Sequence, residues 1–139
     1  MKMKIMLEPT AFMPVRSHET DVGLDLRSRL NTLIPAHGSA EFDTGVHIEL
    51  PHGWYGKIES KSGLNTKHDI VSCGGVIDEG YTGSIAVKLY NLSNKEYEVF
   101  PGDKIAQLVL MPYLAPELEV VSQLHETERG DAGFGSTGR

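Results

Sequence analysis

Residues 74–83 place a carboxylate and an aromatic ring three positions apart among glycines. Asp78 and Tyr81 follow two β-branched residues, and each is close to a glycine. A carboxylate beside a bound substrate can take a proton from water. Backbone next to a glycine such as Gly75 is open to the approach of a flat ligand. The pattern predicts a hairpin that carries one carboxylate and one ring, although a tight turn with a solvated aspartate has the same composition.

A second segment, residues 60–64, combines a cation, two hydroxyl groups and a glycine. Lys61, Ser62 and Gly63 can supply the charge and the hydroxyl and backbone N–H donors of a phosphate cradle. Ser-Gly pairs are also common in ordinary turns. A phosphate site and a plain turn both remain open from this segment alone.

Asp25 lies between Leu24 and Leu26, two residues that should face a core. Its carboxylate is therefore a strand-surface group, a satisfied buried polar group, or an acceptor for the water shell of a metal ion. A fourth segment, residues 102–107, starts with a Gly-Asp turn signal and ends in the amide side chain of Gln107.

The last fourteen positions, residues 126–139, hold four glycines, two arginines and a single aromatic residue. So little apolar surface predicts a tail that is mobile on its own. The tail nevertheless carries groups suited to a nucleotide: arginine pairs with phosphate in a bidentate manner, and a ring stacks on a base. The groups concerned are Arg129, Phe134, Gly135, Ser136 and Thr137.

Composition excludes several classes of protein. The formal net charge is −6 and no basic run is present, which argues against a nucleic-acid binder. No apolar run approaches the roughly 20 residues of a membrane-spanning helix. The single cysteine, Cys73, forms no disulfide framework, and we expect it to be buried or inert. The histidines show no close metal-ligand spacing, and no Ser-His-Asp or Cys-His signature is visible.

Hydrophobic periodicity is mostly two, which predicts half-buried strands. Turn signals separate the alternating runs, so the chain is predicted to be an all-β, jelly-roll-like barrel or sandwich with little helix. One short helical turn is expected near residues 61–67. The alternating runs lie at residues 1–7, 46–50, 85–90, 96–99 and 117–120.

Taken in their order along the chain, the five segments resemble the five motifs of the trimeric dUTP pyrophosphatase (dUTPase) family, over residues 21–139. In that order they are residues 22–28, 60–64, 74–83, 102–107 and 129–138. The resemblance rests above all on GVIDEGYTG, GDKIAQLV and RGDAGFGSTG. It implies a β-barrel domain over residues 1–125 and a glycine-rich arm over 126–139 that closes over the active site of a neighbouring subunit. It also implies a homotrimer with shared sites, Mg²⁺ as cofactor and hydrolysis of dUTP to dUMP and pyrophosphate, which supplies dUMP for thymidylate synthesis.

The resemblance also assigns roles to individual residues. Asp78 corresponds to the carboxylate that activates water for attack on the α-phosphorus, and Tyr81 to the ring that excludes a 2′-hydroxyl group. Asp25 corresponds to an acid that contacts magnesium through water. Gln107 and Arg129 complete the catalytic set. The remaining substrate-binding positions are Lys61, Ser62 and Gly63 for phosphate, Gly75 and Ile77 for the uracil edge, Phe134 for stacking, and Gly135, Ser136 and Thr137 in the arm.

Three positions depart from the usual family pattern. Lys61 stands where an arginine is common, so the charge is kept but the bidentate fork is lost. Val22 replaces a smaller residue, and Ser72 replaces an asparagine that contacts uracil in some members.

Two other functions remain alternatives. One is a nucleotide-responsive binding or regulatory protein, and the other is a dCTP deaminase on the same fold. The expected location is cytoplasmic, or the host cytoplasm or nucleus if the source is viral, with no nucleic-acid or membrane partner.

Overall fold

A computed structural model describes residues 1–73 and 75–138 of the chain. Within these residues the fold consists of eleven strands and one short helix. The strands are β1 (Lys4–Leu7), β2 (Leu24–Arg27), β3 (Thr32–Ile34), β4 (Ser39–Asp43), β5 (Val46–Glu49), β6 (Trp54–Glu59), β7 (Ile70–Ser72), β8 (Val76–Ile77), β9 (Ala86–Asn91), β10 (Tyr97–Val99) and β11 (Lys104–Pro112). The helix α1 spans Ser62–His68.

The strands form antiparallel ladders in four sheets that enclose one apolar core. The largest sheet has the order β2-β11-β6-β8, and a three-stranded sheet has the order β4-β9-β7. Two further pairs, β1-β5 and β10-β3, complete the arrangement. Side chains such as Phe42, Ile58 and Leu108 are 0–3% exposed and fill the space between the sheets. The predicted all-β class is confirmed.

Strand β9 shows how the sequence pattern makes this core. Val87, Leu89 and Asn91 point inward, while Lys88 and Tyr90 point outward, as period-two alternation requires. Asn91 is a polar residue in an apolar position. Its amide is satisfied because Nδ2 donates to the carbonyl groups of Ile34 at 3.2 Å and Lys95 at 2.7 Å.

The helix predicted near residues 61–67 is confirmed by α1 at Ser62–His68. It ends at Asp69, whose φ of 54° is the left-handed conformation that commonly terminates helices. Lys67 and His68 lie in the last turn, where positive charge complements the helix dipole.

The predicted hairpin around Asp78 is wrong. Strand β8 pairs with β6 in one sheet, whereas β9 belongs to the other sheet, so the two legs of the loop do not pair with each other. The chain turns between Asp78 and Tyr81, whose N–H donates to the Asp78 carbonyl group at 3.0 Å. The connection therefore crosses from one sheet to another. We call residues 78–84 the Asp78 loop.

The half-buried strand predicted at 117–120 is also wrong for the single chain. Leu118 is 89% exposed and Val120 is 98% exposed, and neither belongs to a strand of the described chain. Every residue from Met111 to Gly138 is exposed. The sequence does alternate here, but residues 1–73 and 75–138 place no surface against the apolar side chains. None of the described helices is long and apolar enough to cross a membrane.

Candidate functional site

Three of the predicted site residues meet at one end of the largest sheet. Gln107 on β11 pairs with Asp25 on β2 and with Glu59 on β6, so the three lie in one row across the sheet. Lys61 follows two residues after Glu59, where the chain leaves β6. We call Asp25, Lys61, Gln107 and the start of α1 the ionic end of the sheet.

Asp25 is 3% exposed and is held by two lysines. Lys61 Nζ lies 2.5 Å from Asp25 Oδ1, and Lys104 Nζ lies 2.9 Å from Oδ2. Ser17 Oγ donates to Oδ2 at 3.1 Å. Burial alone would raise the pKa of Asp25, but the hydrogen bonds from Lys61 and Lys104 outweigh burial and hold the pKa below its usual value. Asp25 is therefore a charged, fully paired carboxylate.

Gln107 is fixed between β2 and β6. Its Nε2 donates to the carbonyl group of Ser60 at 3.1 Å, and its Oε1 lies against Gly23. A Cβ atom added at Gly23 would lie 2.1 Å from that oxygen, so glycine is what leaves room for the amide. Gly23, two residues before Asp25, thus makes room for the side chain of Gln107.

Ser62 and Gly63 open α1, with Lys61 at the N-cap position. The first N–H donor within the helix is that of Asn65, which bonds to the Lys61 carbonyl group at 3.0 Å. The N–H groups of the first turn have no partner inside a helix. No side-chain hydrogen bond caps this end, and a Cβ atom at Gly63 would meet nothing within 4 Å. Open backbone donors beside a lysine fit the predicted phosphate cradle.

Asp78 and Tyr81 lie elsewhere, on the Asp78 loop. Asp78 borders an open cavity of about 360 Å³ together with Tyr55, Val76 and Tyr113. Tyr81 is 45% exposed, and its hydroxyl donates to the carbonyl group of Ser84 at 2.9 Å. A Cβ atom at Gly83 would lie 2.5 Å from that hydroxyl oxygen, so glycine permits the ring to lie flat along the loop.

The backbone before Asp78 is tightly constrained. Gly75 has a φ of 88°, and a Cβ atom there would lie 2.7 Å from Ile58 Cβ. Its carbonyl group accepts from the Ile58 N–H at 2.8 Å. Ile77 is buried and pairs with Gly56. Both the positive φ and the lack of space for a Cβ atom thus require glycine at position 75. A glycine also lets a ligand come close to the backbone.

Within one chain, the ionic end of the sheet and the Asp78 loop lie apart. The row that contains Leu110, Gly56 and Ile77 lies three residues along β11 from the row of Gln107, which is about 10 Å. Asp78 follows Ile77 on the side away from that row. Asp25 and Asp78 also belong to opposite edges of the four-stranded sheet, since β2 and β8 are its outer strands.

The arm contributes a third, separate group. Among residues 114–138, every hydrogen bond lies within the arm itself, such as Arg129 Nε to the Ala132 carbonyl group at 2.9 Å. Phe134 is fully exposed. Arg129, Ser136 and Thr137 line one open cavity of about 540 Å³, so three predicted binding groups do lie together.

Sequence reasoning missed several residues beside these groups. Lys104 belongs to the GDKIAQLV motif, but no local pattern indicates that its side chain contacts Asp25, 79 positions away. Glu79, Tyr55 and Tyr113 border or support Asp78 through long-range contacts that leave no local pattern. Cys73, expected to be buried or inert, is exposed, so it is not buried, and its inertness stays a prediction.

A family profile described as dUTPase matches residues 10–138, which is nearly the whole chain. The chain belongs to the dUTPase family. The family is one of nucleotide hydrolases, and the resemblance drawn from the five motifs is confirmed.

Individual relatives support the same family membership. The chain is 41% identical over 132 residues to a deoxyuridine 5′-triphosphate nucleotidohydrolase of Paramecium bursaria Chlorella virus 1, covering 95% of this chain and 94% of that protein. It is 43% identical over 127 residues to a probable enzyme of the same name from Invertebrate iridescent virus 6. That match covers 90% of this chain but only 43% of the viral protein's length.

Solved dUTPase structures share the fold. A dUTPase of Staphylococcus bacteriophage 80alpha, bound to the dUTP analogue dUpNHpp, superposes with a TM-score of 0.94 at 29% identity and covers 99% of both chains. That phage protein is described as controlling the transfer of virulence genes by a G protein-like mechanism. A mutant dUTPase of phage phi11, with a TM-score of 0.82 at 28% identity over 88% of this chain and 97% of that one, is described as coordinating a structural Mg(II) ion.

The donors of this dUTPase-family chain fit magnesium in only one way. Both Asp25 oxygens already contact lysine ammonium groups. Within the described ranges, no group of three or more His, Cys, Asp or Glu side chains is arranged to hold an ion. Magnesium keeps several waters and is commonly shared between one or two carboxylates and substrate phosphates. The residues therefore fit an ion carried in by a triphosphate rather than one caged by protein.

Proposed function

We propose that this chain hydrolyses dUTP to dUMP and pyrophosphate by attack of water on the α-phosphorus, with Asp78 as the general base. The observation that carries the proposal is the match of the dUTPase profile over residues 10–138, which includes all five predicted motifs. The exposed Asp78 carboxylate at the edge of an open cavity supports its role, because a base must reach substrate water.

Selectivity for deoxyribose and uracil is assigned to the segment around Asp78. Tyr81 lies three residues from Asp78, and its ring is held along the loop by the Ser84 carbonyl group. A ring under the sugar would leave no room for a 2′-hydroxyl group. The backbone at Gly75 and Ile77 would hydrogen-bond the uracil edge, and the constrained path at Gly75 supports a narrow pocket that rejects the thymine methyl group.

The phosphates are assigned to the ionic end of the sheet. Ser62 and Gly63 would donate hydroxyl and N–H hydrogen bonds, and Gln107 would bind a phosphate oxygen or the attacking water. Lys61 would turn from Asp25 toward phosphate, and Lys104 would then keep the buried carboxylate paired. Magnesium bound to the triphosphate would neutralise charge on the leaving pyrophosphate. Asp25 would contact its water shell.

The protein would act as a homotrimer in which each site draws on several subunits. The separation of Asp78 from the ionic end within one chain supports this proposal, since one dUTP molecule must reach both. The exposed apolar residues of the segment before the arm, including Leu118 and Val120, also require a partner surface. The arm, residues 126–139, would close over a neighbour's site, where Phe134 would stack on uracil and Arg129, Gly135, Ser136 and Thr137 would contact phosphates. The cytoplasmic location stays a prediction.

Pyrophosphate release tests the proposal directly. Purified protein with Mg²⁺ is incubated separately with dUTP, UTP, dTTP and dCTP, and release from dUTP alone is expected. A chelator should abolish it, and Asp78→Asn should lower it while binding of dUpNHpp is retained. No release from dUTP by folded, trimeric protein would exclude the enzymatic function.

A second candidate is a nucleotide-responsive binding protein. It is favoured by one observation, the description of the 80alpha phage dUTPase, a neighbour with a TM-score of 0.94, as acting through a G protein-like mechanism. Asp78→Asn separates the two functions, because it removes the base and keeps the pocket. A variant that binds dUpNHpp and still alters a protein partner would establish the regulatory role. Deamination of dCTP has no observation in its favour.

A further inference from the structure

Glu79, the residue after Asp78, forms a cluster that none of the predicted roles uses. Its Oε2 accepts a short hydrogen bond from the Tyr113 hydroxyl and a longer one, 3.3 Å, from the Gly53 N–H. Its Oε1 lies 2.7 Å from His52 Nδ1. The Glu79 side chain is 25% exposed. We call Glu79, Tyr113, His52 and Gly53 the Glu79 clasp.

The clasp joins three separate segments of the chain. Glu79 belongs to the Asp78 loop, His52 and Gly53 form the turn between β5 and β6, and Tyr113 follows the last residue of β11. The turn and the end of β11 are tied to each other as well, because the Tyr113 N–H donates to the Gly53 carbonyl group at 3.0 Å. Tyr113 also packs edge-on against Tyr55, with ring centroids 6.4 Å apart. The phenol that holds Glu79 is thus itself held.

The Asp78 carboxylate makes no side-chain hydrogen bond with residues 1–73 or 75–138, so backbone anchors set its position. Ile77 fixes the residue before it by burial and pairing with Gly56. On the far side, the turn closes through the Tyr81 N–H, and the Tyr81 hydroxyl reaches the Ser84 carbonyl group. Glu79 is the next residue along and ties the turn to the body of the protein on the Asp78 side. The other end of the loop is tied separately, by Thr82 to His47 and by Ser84 to Asp43 and Gly45.

The contacts of the clasp differ in how much each contributes to holding Glu79 in place. His52 has a side chain 97% exposed, so its contact with Glu79 is a surface contact that contributes little. Tyr113 is 37% exposed, but its ring packs on Tyr55 and its N–H donates to Gly53, so the hydroxyl is positioned toward Glu79. The Tyr113 hydrogen bond is the largest influence that lowers the pKa of Glu79, and it raises the pKa of Tyr113 in turn. The clasp is therefore a carboxylate–phenol contact with two auxiliary donors.

We propose that Glu79 is a positioning residue for Asp78, and that it holds the Asp78 loop at the cavity through Tyr113 and the β5–β6 turn. The inference rests on the proposed function, in which Asp78 is the base. Tyr113 and Asp78 border the same cavity, so the clasp also fixes the wall that faces the carboxylate. A base displaced by a fraction of an ångström loses rate more than it loses substrate affinity.

The test compares Glu79→Gln, Tyr113→Phe and the double variant with Glu41→Gln, which changes an exposed glutamate on β4 in the other sheet. For each protein we would measure kcat for dUTP, the Kd for dUpNHpp and the hydrogen exchange of the amides of residues 78–81. Glu79→Gln and Tyr113→Phe should each lower kcat about tenfold, change the Kd less than about threefold and speed exchange at those amides. The double variant should be no worse than the poorer single variant.

Each outcome decides the proposal. Unchanged kcat and exchange in Tyr113→Phe, which keeps the ring and removes only the hydroxyl, would overturn it, as would equal losses in Glu41→Gln. If Glu79→Gln fails to fold, Tyr113→Phe alone is decisive. If the wild-type protein releases no pyrophosphate, the proposed function fails, and exchange at residues 78–81 decides whether the clasp holds the loop.

Discussion

Asp25 and Arg129 are both charged residues assigned to the same site, yet they lie in opposite surroundings. Asp25 is 3% exposed and paired with Lys61, Lys104 and Ser17 before any ligand arrives. Arg129 lies on an exposed arm, and among the described residues its side chain donates to the carbonyl group of Ala132, three residues further along. One part of the site is built around the core, whereas the described hydrogen bonds of the other stay within the arm.

The difference follows from what each segment can bury. Asp25 lies between Leu24 and Leu26 on β2, and Gln107 lies beside Leu108 on β11. Packing these leucines into the core therefore also fixes the positions of the two polar side chains. The arm has one aromatic residue and four glycines, and it gains nothing by packing against its own chain. We expect its order to come from a ligand or from another subunit, as in a lid that closes over substrate.

The largest expected effect lies outside the arm, on the Asp78 loop. Asp78→Asn should lower kcat by about 10²–10⁴-fold, since the amide cannot take a proton from water. The Kd for dUpNHpp should change little, because the shape of the pocket is kept. Steady-state rates and calorimetric binding measure the two quantities. A variant with kcat within threefold of wild type would remove Asp78 from the mechanism.

Removing residues 126–139 should separate activity from stability. The expected loss is about 100-fold in kcat/KM for dUTP, since a stacking ring and an arginine–phosphate contact each contribute about 1–3 kcal/mol. The melting temperature should stay within about 2 °C, because the arm buries nothing in the chain. Phe134→Ala in the full chain should reproduce part of the loss. A large drop in melting temperature would show that the arm belongs to the core.

Lys104→Met should behave in the opposite way to the arm deletion, with its main effect on folding. It leaves the buried Asp25 carboxylate with one cation, at a cost of about 1–3 kcal/mol in the free energy of unfolding. Lys95→Met, an exposed lysine in the β9–β10 turn, is the matched control. Chemical denaturation of both at one protein concentration gives the comparison. Equal stabilities would mean that Lys61 alone neutralises Asp25.

The smallest effect concerns pH. His47 lies between two acceptors, the Glu8 carboxylate at 2.9 Å from Nε2 and the Thr82 carbonyl group at 2.8 Å from Nδ1, so only the doubly protonated ring satisfies both. These contacts, the Glu8 hydrogen bond first, raise the pKa of His47. Because the pKa of His47 is higher in the folded than in the unfolded protein, its protonation stabilises the fold. This stabilisation is fully present below the unfolded-state pKa of about 6.5 and is lost as the pH rises through the folded-state pKa.

The melting temperature should therefore fall more between pH 6 and 9 in the wild-type protein than in His47→Gln, by about 1–2 °C. His37→Gln, which changes an exposed turn histidine, is the control. Parallel pH profiles for all three proteins would show that His47 does not titrate in this window.

The sequence predicted the elements and the local groups well, and the long-range arrangement less well. Period-two runs located β5, β9 and β10, and the lysine–serine–glycine segment coincided with the start of α1. The alternation at 117–120 predicted a strand because it reports what a segment can bury, not whether its own chain supplies the surface. The loop at Asp78 was misread for a related reason, since turn residues do not reveal which sheet each leg joins.

The site was predicted as a set of residues and not as a geometry. Resemblance named Asp25, Asp78 and Arg129, whereas only the register of β11 shows that the first two lie apart. The contacts of Lys104 with Asp25 and of Tyr113 with Glu79 span 79 and 34 positions. No local spacing encodes such pairs.

Subunit mixing tests the central claim, that a core from one chain and an arm from another form one site. Asp78→Asn protein and protein lacking residues 126–139 should each be nearly inactive, and the two are unfolded and refolded together at equal concentrations. If the arm serves a neighbour, sites that combine an intact Asp78 with a donated arm should restore about a quarter of wild-type activity. If mixed trimers form and recover no activity, the arm closes over its own chain, and the shared-site account is wrong.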